Sequence, residues 1–215
     1  MHREDAYITM RELKRDFYYD DILMISFSSS YPQLRYRRKE TEKRVNSWYL
    51  FNVRRFLRYT ESVLFRMAVE QYKEAIKNDF PFRTFSAVLN YTITYNSDKL
   101  LSLYGDRYEY TGGAHGSTKR ISDTWNLTKG RLLPLSSFFP LRPNYQEYII
   151  NQIIEQANAD MQENPYIYFD NYQELIKENF NPQNYYLTGE GIVIYFQQYE
   201  IAPYATGIPE FTVKP

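Results

Sequence analysis

Cysteine is absent from this chain of 215 residues, and histidine occurs only twice. Without thiols the chain can form no disulfide bond and no thiolate zinc site, and it has no cysteine nucleophile. The two histidines, His2 and His115, are far apart in the sequence, and neither stands in a His-x-x-x-His or Glu-x-x-His pattern. The sequence therefore indicates no metal site and no cofactor.

An excess of charge and long apolar runs are also missing. The formal net charge is +0, which argues against a dedicated nucleic-acid binder. No apolar run reaches the roughly 20 residues that cross a bilayer. The charged stretch His2–Asp5 is not followed by the apolar core of a signal peptide. Either the protein stays inside the cell, or its leader or anchor is missing from this chain.

Aromatic residues are abundant, with 23 tyrosines and 14 phenylalanines. Tyrosine combines a large ring with a polar tip, so it suits half-exposed sheet faces and recognition surfaces alike. Composition alone leaves both interpretations open. With 43% hydrophobic residues, the chain is long enough to bury a sizeable core in one large domain or two small ones.

The N-terminal half has the pattern of two strands, a long helix and further strands. Residues 6–19 and 22–31 predict strands around an Asp20-Asp21 turn, with Pro32 closing the second strand or marking an edge. Between residues 39 and 77, a three- and four-residue spacing predicts a helix with one buried stripe. The stripe consists of Val45, Trp48, Tyr49, Asn52, Phe56, Tyr59, Val63 and Met67. Because so long a rod is unusual, we expect a break or kink near Tyr59–Ser62.

The remaining patterns complete an α+β fold. Strands are predicted at 84–95, 100–110, 117–127, 185–187, 192–196 and 209–213, and helices at 145–161 and 172–179. The element order predicts a mostly antiparallel sheet packed against one long and one or two shorter helices, which would bury Trp48 and Phe56. We expect an N-terminal ββαββ part, residues 1–110, and a C-terminal βααβββ domain, residues 111–215, packed as one compact unit.

The first candidate site is the stretch Tyr110–Thr118, called the glycine loop below. It holds Gly112, Gly113 and Gly116, three of the eight glycines, between two strand-like runs. A phosphate-binding loop would need a helix after the glycines, and here a strand is predicted. Their expected role is to let the chain bend sharply or approach another backbone closely.

His115, in the middle of the glycine loop, has three interpretations. Its neighbours Ser117 and Thr118 suggest acid–base or nucleophilic chemistry, but the Gly-x-Ser-x-Gly spacing of a nucleophile elbow is absent. A structural ring bonded to a neighbouring backbone group or a tyrosine hydroxyl is the second interpretation. A contact with a binding partner, shared with Tyr110, Gly112 and Gly113, is the third.

The second candidate surface is the stretch Tyr199–Gly207, called the aromatic loop below. Pro203 and Gly207 fix its backbone, and Tyr199 and Tyr204 place two aromatic rings on it. Rigid loop aromatics are common anchors of interfaces, although rings packed on a sheet edge would give the same pattern. Glu200 could be an acid, but no paired carboxylate is identifiable, so a glycosidase is not indicated.

Three motifs together resemble a bacterial envelope family. They are Tyr110–Gly116, the segment from Trp125 through Gly130 to Phe139, and the pair Tyr186–Phe196 and Tyr199–Gly207. The family includes the extracytoplasmic region of the lysozyme-sensing anti-sigma-V factor and the non-catalytic N-terminal part of a peptidoglycan deacetylase. A secreted mycobacterial antigen with a β-grasp-like motif is a more distant member, so the resemblance implies a β-grasp-like C-terminal part. The C-terminal motifs are similar to a domain of unknown function, and residues 7–110 to the domain that usually precedes it.

The resemblance implies a non-catalytic domain that binds or senses a ligand at the cell envelope. The implied partner is a lysozyme-like protein or peptidoglycan, although no lysozyme-contacting residue can be transferred one by one. It also implies an exported or membrane-anchored protein whose leader or anchor is missing from this chain, with membrane contact only through that anchor. The alternatives are an uncharacterised hydrolase acting on the cell wall, or a structural interaction module of a larger assembly.

Overall fold

The computed structural model describes residues 6–215. Its strands are β1 (Tyr7–Tyr19), β2 (Ile22–Arg35), β3 (Phe85–Ser97), β4 (Leu100–Tyr110), β5 (Ser117–Asn126), β6 (Arg131–Leu132), β7 (Tyr185–Leu187), β8 (Ile192–Tyr195) and β9 (Glu210–Val213). Its helices are α1 (Lys39–Tyr59), a π-helical turn (Thr60–Leu64), α2 (Phe65–Lys77), α3 (Tyr145–Glu163) and α4 (Tyr172–Asn179). None of the helices in this described range has the length and apolar character needed to span a bilayer.

The strands form two sheets. The first has the order β1-β2-β3-β4-β5-β6 and the second β7-β8-β9. Pairing is antiparallel between β1 and β2, between β5 and β6 and throughout the second sheet. Strands β2 and β3, which the long helix connects, pair in parallel. The α+β prediction with mostly antiparallel pairing is confirmed.

Short turns explain two of the hairpins. Asp20 and Asp21 have φ 49° and 60°, and Asp98 and Lys99 have φ 54° and 63°. Two consecutive left-handed residues are typical of type I′ turns, whose twist matches that of the flanking strands. The Asp20-Asp21 turn is confirmed, and the second turn lies at Asp98-Lys99, directly after the end of β3 at Ser97.

The chain forms two compact units. The N unit comprises residues 6–91 and Gly105–Lys119, and the C unit comprises Thr92–Tyr104 and Arg120–Pro215. Strands β3, β4 and β5 contribute residues to both. Packing thus groups segments that are distant along the chain, and the division into 1–110 and 111–215 stays a prediction.

In the N unit, four hydrophobic positions of α1 are buried, of which three belong to the predicted helical stripe and the fourth, Val53, does not. Val45, Tyr49, Val53 and Phe56 are all buried, and the Phe56 ring meets Phe27 of β2 edge to face at 5.6 Å between centroids. These rings and aliphatic side chains form the core between helix and sheet. The prediction that Trp48 is buried is wrong.

Trp48 is 38% exposed because it lies one position before the buried row of α1. The buried positions 45, 49 and 53 follow one another at intervals of four residues, and neighbours at this interval share one face of a helix. Residue 48 is rotated by about 100° from Tyr49. A wide amphipathic stripe in the sequence therefore corresponds to a narrower buried row in the structure.

The expected break near Tyr59–Ser62 is a π-helical turn inside one continuous helical path. A π turn takes up one residue more than an α turn. The buried positions after Phe56 are therefore Thr60, Leu64 and Ala68, each spaced by four. The predicted members Val63 and Met67 assume uninterrupted α-helical spacing, so the inserted residue moves both off the buried row, and Met67 is exposed.

Strand β2 continues past the proline that was expected to end it or mark an edge. Its pairing with β3 ends at Ser30, whereas its pairing with β1 continues to Arg35. Pro32 pairs with Met10 in a part of β2 that has only one partner strand in these registers. A proline is tolerated there because no second ladder requires its missing N–H.

In the C unit, helices α3 and α4 cover the second sheet. Ile149, Ile153 and Ala157 of α3 and Ile176 of α4 are buried in a cluster with side chains of β7, β8 and β9. The apolar residues of α3 recur at intervals of four, which aligns them on one face of the helix. The segment Tyr145–Glu163 agrees with the predicted helix at 145–161.

Candidate functional site

The glycine loop connects β4 to β5, so strands flank it on both sides as predicted. Gly112 has φ 87°, a conformation that side chains other than glycine rarely adopt. Gly116 is buried, and a Cβ there would lie under 3.0 Å from the Tyr108 ring. Gly113 has neither a positive φ nor a neighbouring atom that would clash with a Cβ. The close approach that we expected from another backbone is therefore made by side chains, Tyr108 at Gly116 and Gln71 at Gly112.

The carbonyl oxygen of Gly113 holds the glycine loop in place. The Tyr110 hydroxyl donates to it at 3.0 Å, and Nη1 of Arg83 donates to it at 3.2 Å. His115 is exposed, and its Nδ1 lies 3.2 Å from the carbonyl oxygen of Gly116. With the proton on Nδ1, the imidazole would donate to this oxygen and leave Nε2 as an acceptor.

A groove of about 670 Å³ lies beside the glycine loop in the N unit. Its walls are the end of α2, the segment that follows α2, and the glycine loop. The lining consists of Gln71, Glu74, Ala75, Asn78, Phe80, Pro81, Phe82, Arg83, Gly112, Gly113 and Ala114. The sequence points to the glycines but not to Gln71 and Arg83, because no local pattern brings residues this far apart into one wall.

The aromatic loop in the C unit carries two paired rings. The ring centroids of Tyr199 and Tyr204 are 5.9 Å apart, and the ring planes are inclined by 32°. Tyr199 is 53% exposed, and its φ of 67° is left-handed. A left-handed backbone is a genuine outlier for a bulky residue. Pro203 precedes the short 3-10 turn Tyr204–Thr206 that positions the second ring.

Hydrogen bonds fix the aromatic loop at both ends. The Glu200 carboxylate accepts from the backbone N–H of Gln197 at 2.7 Å, and its carbonyl accepts from the Asn179 amide at 3.1 Å. The Thr206 hydroxyl donates to the carbonyl of Ile167 at 2.7 Å. The side chain of Glu200, considered above as a possible acid, thus supports the backbone beneath Tyr199.

Arg120 on β5 forms a buried polar network that sequence reasoning missed. Its side chain is 8% exposed and pairs with the carboxylate of Glu210. Its guanidinium lies 3.8 Å from the ring centroid of Tyr104, a cation–π contact. The Tyr186 hydroxyl donates to the other Glu210 oxygen at 2.9 Å. Burial, with the Glu210 carboxylate adding to it, raises the pKa of Tyr186 above its usual value. Tyr104 and Tyr186 therefore contribute to the internal contacts of the C unit.

The predicted site residues form two candidate surfaces, one in each unit. Tyr110, Gly112, Gly113 and His115 belong to the N unit, whereas Tyr199, Pro203 and Tyr204 belong to the C unit. Within residues 6–215, no group of three or more His, Asp or Glu side chains is placed to hold a metal ion. His2 lies outside the described residues.

The fold and these two surfaces define an α+β protein whose candidate sites are loops held by hydrogen bonds. Residues 20–118 match the family model described as Deacetylase PdaC. Residues 136–214 match the model DUF3298, described as protein of unknown function. A PdaC-like domain and a DUF3298 domain are therefore present, and the resemblance found in the sequence is confirmed.

Solved structures of DUF3298 proteins share the fold. A member of the family from Bacteroides fragilis aligns with a TM-score of 0.73 at 18% identity, covering 100% of this chain and 92% of that one. A DUF3298 family protein from Pseudomonas aeruginosa aligns with a TM-score of 0.57 at 18% identity, covering 99% of this chain and 91% of that one. No curated protein matches the chain. At such identities the likeness shows the fold alone.

Proposed function

We propose that this chain is a non-catalytic, extracytoplasmic binding or sensing domain of the cell envelope. Its ligand is a lysozyme-like protein or a cell-wall fragment, and the aromatic loop makes the central contact. The PdaC-like and DUF3298 domains support an association with the cell envelope. One of the two family models is named after a deacetylase, and the envelope family that the sequence resembles includes a peptidoglycan deacetylase. The binding role rests on the geometry of Tyr199.

The exposed ring of Tyr199 on a left-handed backbone is the observation that carries the proposal. A left-handed conformation costs a residue with a Cβ about 1–2 kcal/mol, and glycine would avoid that cost. Strain of this kind persists only where the surrounding structure imposes it, and it is concentrated at functional sites. At Tyr199 the strained backbone holds an aromatic ring toward solvent, beside a second ring, which is the arrangement of an interface anchor.

Rigidity makes the pair suitable for binding. An anchor that is already ordered loses little conformational entropy when a ligand binds. Ile201 and Ala202, between the two rings in the sequence, are fully buried, so the loop cannot reorganise without opening the core. Tyr and Trp are enriched among residues that dominate binding energies, and the hydroxyl of each tyrosine adds a polar contact at the ring edge.

A calorimetric titration with matched variants tests the proposal. Lysozyme and muropeptides released from peptidoglycan are titrated separately into wild-type protein, and into Tyr199→Ala and Tyr204→Ala. We expect saturable binding to one of the two ligands. Each substitution should weaken it by about 1–2 kcal/mol or more, which corresponds to roughly tenfold. Tyr166→Ala is the matched control, because Tyr166 is a C-unit tyrosine that is 86% exposed and lies outside the aromatic loop.

The same samples test the non-catalytic part of the proposal. Muropeptides recovered after prolonged incubation should be chemically unchanged by mass spectrometry, in wild type and in His115→Ala alike. Cleavage or deacetylation by wild type that disappears in His115→Ala would support the hydrolase alternative instead. Fractionation of cells that express the complete native gene product tests the location, and recovery from the cytoplasm alone would contradict it.

A further inference from the structure

The end of helix α2 holds an exposed aromatic ring on a fixed backbone. Phe80 N–H bonds to the carbonyl of Ala75 at 2.9 Å, Asp79 N–H bonds to that of Ile76 at 3.4 Å, and Asp79 has φ 55°. These bonds and the left-handed residue form a Schellman motif. Pro81 restricts the chain immediately afterwards. Phe80 is nevertheless 69% exposed, so its position is fixed without its ring being buried.

The second phenylalanine of the groove is part of its floor. Phe82 meets Tyr72 edge to face at 5.4 Å and stacks on Phe85 at 6.3 Å. Arg83, next in the chain, is tied to the glycine loop by its bond to the Gly113 carbonyl. The wall on that side of the groove is therefore preformed, as binding sites for small ligands usually are.

Planar polar groups line the rest of the groove. The amide of Gln71 and the carboxylate of Glu74 line the groove, and both residues are exposed. Asn78 uses its NH₂ group on the carbonyl of Glu74 at 2.8 Å, which leaves its own carbonyl oxygen available among the described residues. Arg83 uses one NH₂ group on Gly113 and keeps further donors. Donors and acceptors are thus both present along one groove.

Charge and shape point to the class of ligand. One carboxylate, Glu74, and one guanidinium, Arg83, balance each other in the lining, so neither a polyanion nor a polycation is favoured. A sugar ring has an apolar C–H face that covers an aromatic ring, and an edge of hydroxyls that pair with planar amides, carboxylates and guanidinium groups. A volume of about 670 Å³ is within the range of small-ligand sites, about 300–1,000 Å³.

We propose that the groove between the end of α2 and the glycine loop binds a neutral oligosaccharide. One sugar ring lies on Phe80, and Gln71, Glu74 and Arg83 bind its hydroxyl groups. The site extends the binding role proposed above to a second surface in the N unit, and it does not require the aromatic loop. The glycine loop has a positional role, since Gly112 leaves room for the Gln71 amide and Gly113 holds Arg83.

Titration with neutral probes and matched variants tests the site. Chitotriose and cellotriose, which differ in their acetamido groups, are titrated into the intact chain and followed by NMR. We expect saturable binding of at least one of them, weakened about tenfold or more in Phe80→Ala and weakened in Gln71→Ala. Ile76→Ala is the matched control, because Ile76 is 63% exposed on the same helix and does not line the groove. Its affinity should equal that of wild type.

Three results would overturn the groove proposal. They are the absence of saturable binding to either probe, unchanged affinity in Phe80→Ala, and a loss in Ile76→Ala as large as in Phe80→Ala, which would show that the effect is not specific to the groove. Tyr199→Ala separates this proposal from the previous one. It should retain oligosaccharide binding, and a loss there would assign the sugar to the aromatic loop instead. Thermal unfolding of each variant verifies that the exposed substitutions leave the fold intact.

Discussion

The rings of Tyr199 and Tyr204 lie 5.9 Å apart between centroids, and the first is held there by a left-handed backbone. Tyr199 combines an exposed aromatic ring with a strained backbone, whereas stability alone would favour glycine at this position. Replacing Tyr199 by glycine would remove the strain, but it would also remove the exposed ring. The position therefore predicts a conflict between stability and binding that mutagenesis can measure.

Tyr199→Gly is expected to be more stable than Tyr199→Ala by about 1 kcal/mol, because both lose the ring but only glycine accepts φ 67° without strain. Denaturant unfolding measures the difference. At Tyr166, which does not have a positive φ, the usual order should hold, with alanine at least as stable as glycine. Equal stabilities of the two Tyr199 variants would show that the backbone there is not strained.

Gly116→Ala is expected to destabilise the protein by about 1–3 kcal/mol, since the new methyl group would overlap the Tyr108 ring. Gly113→Ala should cost much less, because a Cβ there meets no atom closer than 3.8 Å and the backbone needs no positive φ. Both are measured by denaturant unfolding. In the double variant with Tyr108→Ala, the cost of Gly116→Ala should shrink, and strictly additive costs would contradict a clash between these two residues.

Deleting Ser62 is expected to convert the π-helical turn into an α-helical turn and to preserve the fold. Ser62 is exposed, and its hydroxyl donates back to the Arg58 carbonyl at 2.7 Å. Deleting the equally exposed Arg66 should instead rotate the following residues by about 100° and take Ala68 out of the core. Circular dichroism and denaturant unfolding compare the two deletions. Similar losses in both would contradict the assignment of the inserted residue to the π turn.

Alkaline pH is expected to destabilise the C unit through Tyr185. Its hydroxyl donates to the carbonyl of Leu133 at 2.7 Å, and burial raises its pKa from 10.0 to about 12. The folded state thus favours the protonated phenol. This contribution is complete below pH 10 and is lost as the pH rises toward 12. Unfolding free energies across this range should fall, and the fall should be smaller in Tyr185→Phe. An identical fall in that variant would assign it to other groups.

The sequence predicted most elements because local signals specify them. The Asp20-Asp21 turn and the spacing of Val45, Tyr49 and Phe56 are local patterns with a direct physical cause. The buried row beyond Tyr59 was not predictable in the same way. The π turn depends on packing that a regular helical count does not contain, so Val63 and Met67 were placed in the core in place of Leu64 and Ala68.

The candidate surfaces were predictable only in part. Tyr199 and Tyr204, together with Pro203 and Gly207, located the aromatic loop, but no local pattern predicts the left-handed backbone of Tyr199 or the bond from Asn179 to the neighbouring Glu200 carbonyl. The groove was missed for the same reason, since Gln71 and Gly112 are brought together by the fold. The inward position of Arg120 was also hidden, because an arginine on a strand usually indicates an exposed face.

Mapping the bound ligand on the protein is the most direct test of the proposed binding role. Backbone amide signals of the labelled chain are followed while lysozyme or muropeptides are added. We predict that the largest changes lie in residues 197–207, and that Tyr199→Ala abolishes them while Tyr166→Ala does not. Saturable binding that leaves the signals of residues 197–207 unchanged, or the absence of binding to both ligands, would contradict the assignment of the aromatic loop as the binding surface.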